Sequence, residues 1–244
     1  MTTAIVLAGG VLEPEWQARS GVSQRALVPV HGVPMYQHVV QALGQVPEIA
    51  EIVVVGAVPK GETYRVVSPA DSLVANVQRG LEQSQYESVL FATADIPFLT
   101  PESVQFFLTE SLRSGAVLTY AVVPSEVCQA RFPQLGRTTV RLREGEVTGG
   151  NLFWAQRTMA LRELPRMEVL YRARKHPLKL AVQLGMGLLV RFVLAQKLSS
   201  RWLSITQIER RAAQILGVPV KAIVTPYAEV GTDIDQLEHW LAVG

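Results

Sequence analysis

The chain has 244 residues, 48% hydrophobic and 18% charged, with 23 Lys/Arg against 21 Asp/Glu for a formal charge of +2. This excludes a disordered chain, which lacks the apolar surface to offset its ordering entropy, and the scattered 18 Gly and 14 Pro exclude a collagen-like repeat. The single cysteine, Cys128, excludes an intramolecular disulfide framework and a Cys-rich zinc site.

Met1–Gly10 has neither the basic region nor the cleavage site of a secretory leader, so a cytoplasmic location is expected. Within it, Ala4–Leu7 is a continuous apolar run that reads as a strand buried on both faces, ending at the turn Ala8-Gly9-Gly10. A helix is expected over Pro34–Leu43, a strand over Glu51–Gly56, a helix over Ser72–Leu81 and a strand over Val89–Thr93. Thr100-Pro101-Glu102 has the residues of a helix start: a hydroxyl at the N-cap, proline at the first helical position and an acid in the first turn. Another strand is expected over Ala116–Val123, and short strands at the sheet's edge between Phe132 and Phe153. From Gln156 to Gly217 the pattern is chiefly helical, and Ser204 with Gln207 predicts a capping box. A last strand over Val218–Val224 precedes Asp233-Ile234-Asp235 and a final helix over Gln236–Leu241, with Asp235 as its N-cap.

Strand and helix alternation predicts a three-layer αβα fold around a mostly parallel, Rossmann-like sheet. No flexible linker interrupts the chain, so one domain is expected over 1–244. Its halves are 1–125 and 126–244, with a helical insertion at about 156–217. That insertion is basic: 12 Lys/Arg against three acids between Arg157 and Arg211. Its longest apolar run, Leu180–Val190, falls short of the roughly 18 residues a membrane span needs. The expectation is therefore no transmembrane segment, with peripheral contact to an anionic membrane left open, and no nucleic-acid partner.

Open parallel sheets bind ligands beyond the carboxyl ends of their strands. Three turns fall there: Leu7-Ala8-Gly9-Gly10, Thr93-Ala94-Asp95-Ile96-Pro97 and Thr232-Asp233. Paired glycines let backbone N–H groups approach a phosphate. Neither the G-x-G-x-x-G dinucleotide fingerprint nor the Walker pattern is present. Asp95 and Asp233 open on the same sheet edge, and a pair of carboxylates completed by water and phosphate oxygens suits Mg²⁺. His31, His38, His176 and His239 show no ligand spacing.

Read in order, the motifs resemble the nucleotidyltransferases related to molybdenum-cofactor guanylyltransferase, the MobA-like NTP transferases. The resemblance rests on Leu7-Ala8-Gly9-Gly10, Arg19-Ser20-Gly21, Arg25-Ala26-Leu27-Val28-Pro29, Gly32-Val33-Pro34, Asp95-Ile96-Pro97 and Asp233-Ile234-Asp235. It implies the nucleotide-diphospho-sugar transferase type of fold and Mg²⁺-dependent transfer of NMP from an NTP to a small phosphorylated acceptor, with release of pyrophosphate. It further implies catalytic roles for Arg25 and Arg19, nucleotide binding by Leu7–Gly10, Asn76 and Asp95, and a metal held by Asp95 and Asp233. Gly150 and Asn151, with Gly149, and the basic Lys175, with Arg172 and Arg174, are the acceptor-side candidates. The chain departs from the family in its longer loop from Gly10 to Arg19 and in Arg25, which stands where the family has lysine. A glycosyltransferase using a nucleotide-sugar and a non-catalytic nucleotide-binding regulator are the alternatives; the former's usual Asp-x-Asp is missing at Asp95.

Overall fold

Strand β1 (Thr2–Ala8) is buried along its whole length. Its side chains alternate between two cores: Ala4, Val6 and Ala8 face one, Ile5 and Leu7 the other. A computed structural model, which describes residues 1–173 and 185–243, builds the rest around this strand. The long loop after β1 holds a helix, α1 (Pro14–Ser20), and is followed by the short strands β2 (Pro29–Val30) and β3 (Val33–Pro34). Then come α2 (Met35–Gly44), β4 (Ile49–Gly56), β5 (Arg65–Val67), α3 (Leu73–Gln83), β6 (Ser88–Thr93) and α4 (Pro101–Arg113). The second half runs β7 (Leu118–Pro124), α5 (Ser125–Arg131), β8 (Val140–Leu142), β9 (Gly145–Gln156), α6 (Arg157–Ala173), α7 (Met186–Lys197), α8 (Ile205–Leu216), β10 (Val220–Val224) and α9 (Leu237–Leu241).

The main sheet has the order β10-β7-β9-β6-β1-β4-β5, with β8 paired to β9. β1 pairs in parallel with β4 and β6, and β10 with β7. One face is covered through Tyr36, Val39 and Leu43 of α2 and Phe107 and Leu108 of α4. The other is covered through Val77 and Leu81 of α3 and Ala160 and Leu164 of α6. The three-layer αβα expectation is thus met.

Two details differ from expectation. β9 does not lie at the edge: it runs antiparallel between β6 and β7, in the middle of the sheet. Its Phe153 stacks on Phe91 of β6 at 4.2 Å. Asp235 does not cap the final helix, which begins at Leu237 behind Gln236 with no side-chain cap. Asp235 Oδ1 instead lies 3.0 Å from Nδ1 of His239, one turn on. The capping boxes at Thr100 and Ser204 are both present in full. The described part of the helical insertion is α6, α7 and α8, and no helix among the described residues is long and apolar enough to cross a membrane.

Candidate active site

Backbone hydrogen bonds tie the three turns at the carboxyl edge to one another. Ala94 N–H donates to the Leu7 carbonyl (3.1 Å), joining the end of β6 to that of β1. Ile234 N–H donates to the Asp95 carbonyl (2.8 Å), joining the 231–235 segment to the β6 turn. Arg25 N–H donates to the Gly10 carbonyl (2.8 Å), so the far end of the long loop returns to the glycine turn. Residues remote in sequence are thereby fixed around one point.

The glycine turn, Arg25, the 70–73 loop, Asn76 and the β6 turn enclose an open cavity of about 480 Å³. Gly9 passes against Asn76: a Cβ there would lie 2.7 Å from the Asn76 amide nitrogen. Gly10 is less constrained, since a Cβ would meet the Arg25 side chain at an ordinary 3.5 Å. Asn76 sits in the first turn of α3, 7% exposed, and its Oδ1 accepts from Ala70 N–H (2.6 Å). The Ser72 hydroxyl caps α3 by accepting from Ala75 N–H. The cavity wall beside Gly9 is therefore a capped helix start and a loop clamped to it.

One carboxylate, Asp95, lines this cavity and a second, Asp233, lies beyond it; each is held by an arginine. Arg25 Nη1 lies 3.3 Å from Asp95 Oδ2, while Asp95 Oδ1 is buried with no hydrogen-bond partner among the described residues. Arg137 donates twice to Asp233, from Nη1 to Oδ1 (2.5 Å) and from Nη2 to the main-chain carbonyl (2.8 Å). Asn151 Nδ2 is 3.3 Å from the Val230 carbonyl and 3.4 Å from Asp233 Oδ1. Burial, then the Asp95 charge, push the Asp233 carboxyl above its usual range against the opposing pull of Arg137. The Asp95 charge thus reaches Asp233. Tyr120 of β7 is raised by burial and by the charge of Asp233, and lies on the same side.

No group of three or more His, Cys, Asp or Glu side chains that could hold a metal occurs among the described residues. The donor set on offer is two carboxylates, one of them with a buried oxygen that has no partner among the described residues. That set fits a hard divalent cation whose remaining positions are filled by water and phosphate, as Mg²⁺ prefers.

The structure brings together Leu7, Ala8, Gly9, Gly10, Arg25, Asn76 and Asp95 around the cavity, with Asp233 and Asn151 beyond Asp95. It does not bring in Arg19. The loop that carries Arg19 folds into α1, leaving the side chain 52% exposed and paired with Glu15 one turn away. Gly150 is buried, with room for a Cβ denied by Ala121 at 2.7 Å, so it packs β9 against β7 rather than facing a ligand. Lys175 lies outside the described residues. Arg137 and Tyr120 escaped the reading of the sequence. Arg137 sits in an irregular segment with no periodicity, and its only local signal is a basic residue between Gly136 and Thr138.

The family description of a MobA-like NTP transferase domain matches residues 4–184. A hypothetical transferase from Thermus thermophilus is 39% identical and superposes with a TM-score of 0.85, covering 98% of this chain and 99% of that one. The 2-C-methyl-D-erythritol 4-phosphate cytidylyltransferase of Thermus thermophilus shares the fold at 17% identity, with a TM-score of 0.56 over 100% of this chain and 97% of its own. The enzyme of that name from Chlamydia pneumoniae is 26% identical over 107 residues, 42% of this chain and 51% of its own. The chain spans about half the length of the curated relatives it matches, from 36% to 58%.

Proposed function

The chain belongs to the MobA-like NTP transferase family, and from that premise we propose that it transfers NMP from an NTP to a small phosphorylated acceptor and releases pyrophosphate. One observation carries the reading: the glycine turn, Arg25 and Asp95 converge on one cavity, with a second carboxylate, Asp233, tied in behind them.

The NTP occupies the cavity, its phosphates against Gly9 and Gly10 and its nucleoside toward Asn76. An oxygen of the acceptor phosphate attacks the α-phosphorus. A new O–P bond forms as the bond from the α-phosphorus to the α,β-bridging oxygen breaks, and pyrophosphate departs with the electron pair. No proton need be removed from such an acceptor, so the protein's part is positioning and charge neutralisation. Arg25, between the glycine turn and Asp95, neutralises the departing phosphates; its planar fork suits paired phosphate oxygens. Asp95 and Asp233 would hold Mg²⁺, which would supply positive charge for the phosphate oxygens. The cytoplasm, where NTPs are supplied, is the location that goes with this reading.

A nucleotide-sugar donor is the less favoured alternative. Asp95 is followed by Ile96-Pro97, and the second carboxylate comes from the distant 231–235 segment instead. The test is pyrophosphate release, measured for the four NTPs with Mg²⁺ and a panel of small phosphorylated acceptors. Release with one NTP and one acceptor class is expected. Tight NTP binding without release from any combination would favour a regulator, and release of a nucleoside diphosphate from a nucleotide-sugar would favour the glycosyltransferase.

A further inference from the structure

We propose that Arg137 is the anchor for an oxyanion of the acceptor, held in reserve by Asp233 until that carboxylate turns to the divalent metal. The inference rests on the transferase reading above and adds the residue that recognises the second substrate.

The Arg137 side chain is only 9% exposed, yet its hydrogen bonds among the described residues all go to one residue, Asp233. Its Nε is buried with no partner among them. A guanidinium so placed depends on that single carboxylate for its charge balance. Asp95, Asp233, Arg25 and Arg137 together carry no net charge, while Asp235, whose charge also reaches Asp233, lies against His239. When both carboxylates take up a divalent cation, the two guanidiniums are left without counter-charges in a partly desolvated site, which is strongly unfavourable. Anions must then arrive with the metal.

For Arg25 the anion is at hand, because it lines the cavity assigned to the nucleotide phosphates. Arg137 does not line that cavity; it is held on Asp233, which Asn151 of β9 also contacts. Its anion must therefore come from the other substrate, as a phosphate or carboxylate, either of which a guanidinium grips with two parallel hydrogen bonds. The surroundings suit such an exchange. Asn151 donates to the same Asp233 oxygen as Arg137 and so steadies the carboxylate when the arginine leaves. Tyr120, 42% exposed and influenced by the Asp233 charge, offers a phenol O–H on the same side.

The experiment titrates the full chain with Mn²⁺, followed by electron paramagnetic resonance, with and without inorganic phosphate as the stand-in oxyanion. In the wild type, phosphate should tighten Mn²⁺ binding by about tenfold, and Mn²⁺ should tighten phosphate binding by the same factor. Arg137→Gln should bind Mn²⁺ alone more tightly, since Asp233 has lost its competing partner, and should lose most of the phosphate enhancement, keeping only the part that Arg25 supplies. Unchanged Mn²⁺ affinity would overturn the exchange, and a fully persisting enhancement would overturn the anchor. Should Arg137→Gln fail to fold, Arg137→Lys keeps the charge without the fork and must still lose most of the enhancement; full retention overturns the proposal. A nucleotide arm separates the two substrates. The NTP that stabilises the wild type with Mg²⁺ should stabilise Arg137→Gln at least as well, and a loss there would assign the guanidinium to the nucleotide instead. Failure of every NTP to bind the wild type would strike the transferase reading, whatever Arg137 does with phosphate.

Discussion

Burial and the Asp95 charge raise the Asp233 carboxyl above the ordinary 3.8 despite the Arg137 pair. The folded protein then keeps this proton to higher pH than the unfolded chain does. Native stability therefore falls as pH rises from 3.8 through the raised folded value, and the loss is fully present above it. Asp233→Asn removes the titration. The melting temperature of this variant relative to wild type should rise as the pH climbs from about 4. A wild type that gains on the variant over that range would mean that the Arg137 pair outweighs burial. At the glycine turn, the two residues separate. Gly9→Ala places a Cβ against the Asn76 amide and should displace the wall of the cavity, while Gly10→Ala meets only ordinary contacts. Calorimetry with NTP and Mg²⁺ should show a marked affinity loss for Gly9→Ala and a small one for Gly10→Ala. Equal affinities would remove Asn76 from the nucleotide site. The glycine pair was legible in the sequence, but which glycine is the tight one depends on Asn76, 67 positions away, and no local pattern reveals that.

Among the elements, the capping predictions divide by what else each cap touches. Ser204 caps α8 and exchanges hydrogen bonds with Gln207, so Ser204→Ala should cost about 1 kcal/mol in a denaturant titration. Thr100 caps α4 in the same way, and its hydroxyl also donates to Oε1 of the buried Glu229 at 2.9 Å. Thr100→Val loses the cap and leaves a buried carboxylate oxygen without that donor, so about 2 kcal/mol or more is expected. Equal losses at the two sites would show that Glu229 finds another donor. Both caps were readable because a cap is a local event within four residues. β9 was not. Gly149-Gly150 looks like a turn in the sequence, whereas in the sheet Gly150 lets the strand pack against Ala121. The insertion of an antiparallel strand between β6 and β7 is a decision of the whole sheet, and no window of sequence contains it. α1 misled for the opposite reason: its seven residues are a local helix, and forming it carries Arg19 out to Glu15 and solvent.

Across the whole molecule, the site was legible where it coincides with strand ends. Apolar runs locate β1 and β6, and an open parallel sheet puts their ends and the ligand on one edge. Asp233 was placed on that edge by the apolar run over Val218–Val224, although the structure fixes it through Ile234 and the Asp95 carbonyl. Arg137 was hidden because its place is set by tertiary contacts alone. The proposed site sets two carboxylates, Asp95 and Asp233, against two guanidiniums, so metal and anionic substrate should bind cooperatively. Arg25→Ala should accordingly lower turnover by a few kcal/mol of transition-state stabilisation, with Arg25→Lys intermediate, in steady-state rates of pyrophosphate release. The most direct test of the account is calorimetric titration of the wild type and Asp95→Asn with each of the four NTPs in the presence of Mg²⁺. The account predicts that at least one NTP binds the wild type and that its Mg²⁺-dependent affinity is lost in Asp95→Asn while the fold is kept. Binding by none of the four, or equal Mg²⁺-dependent binding by a folded Asp95→Asn, would contradict it.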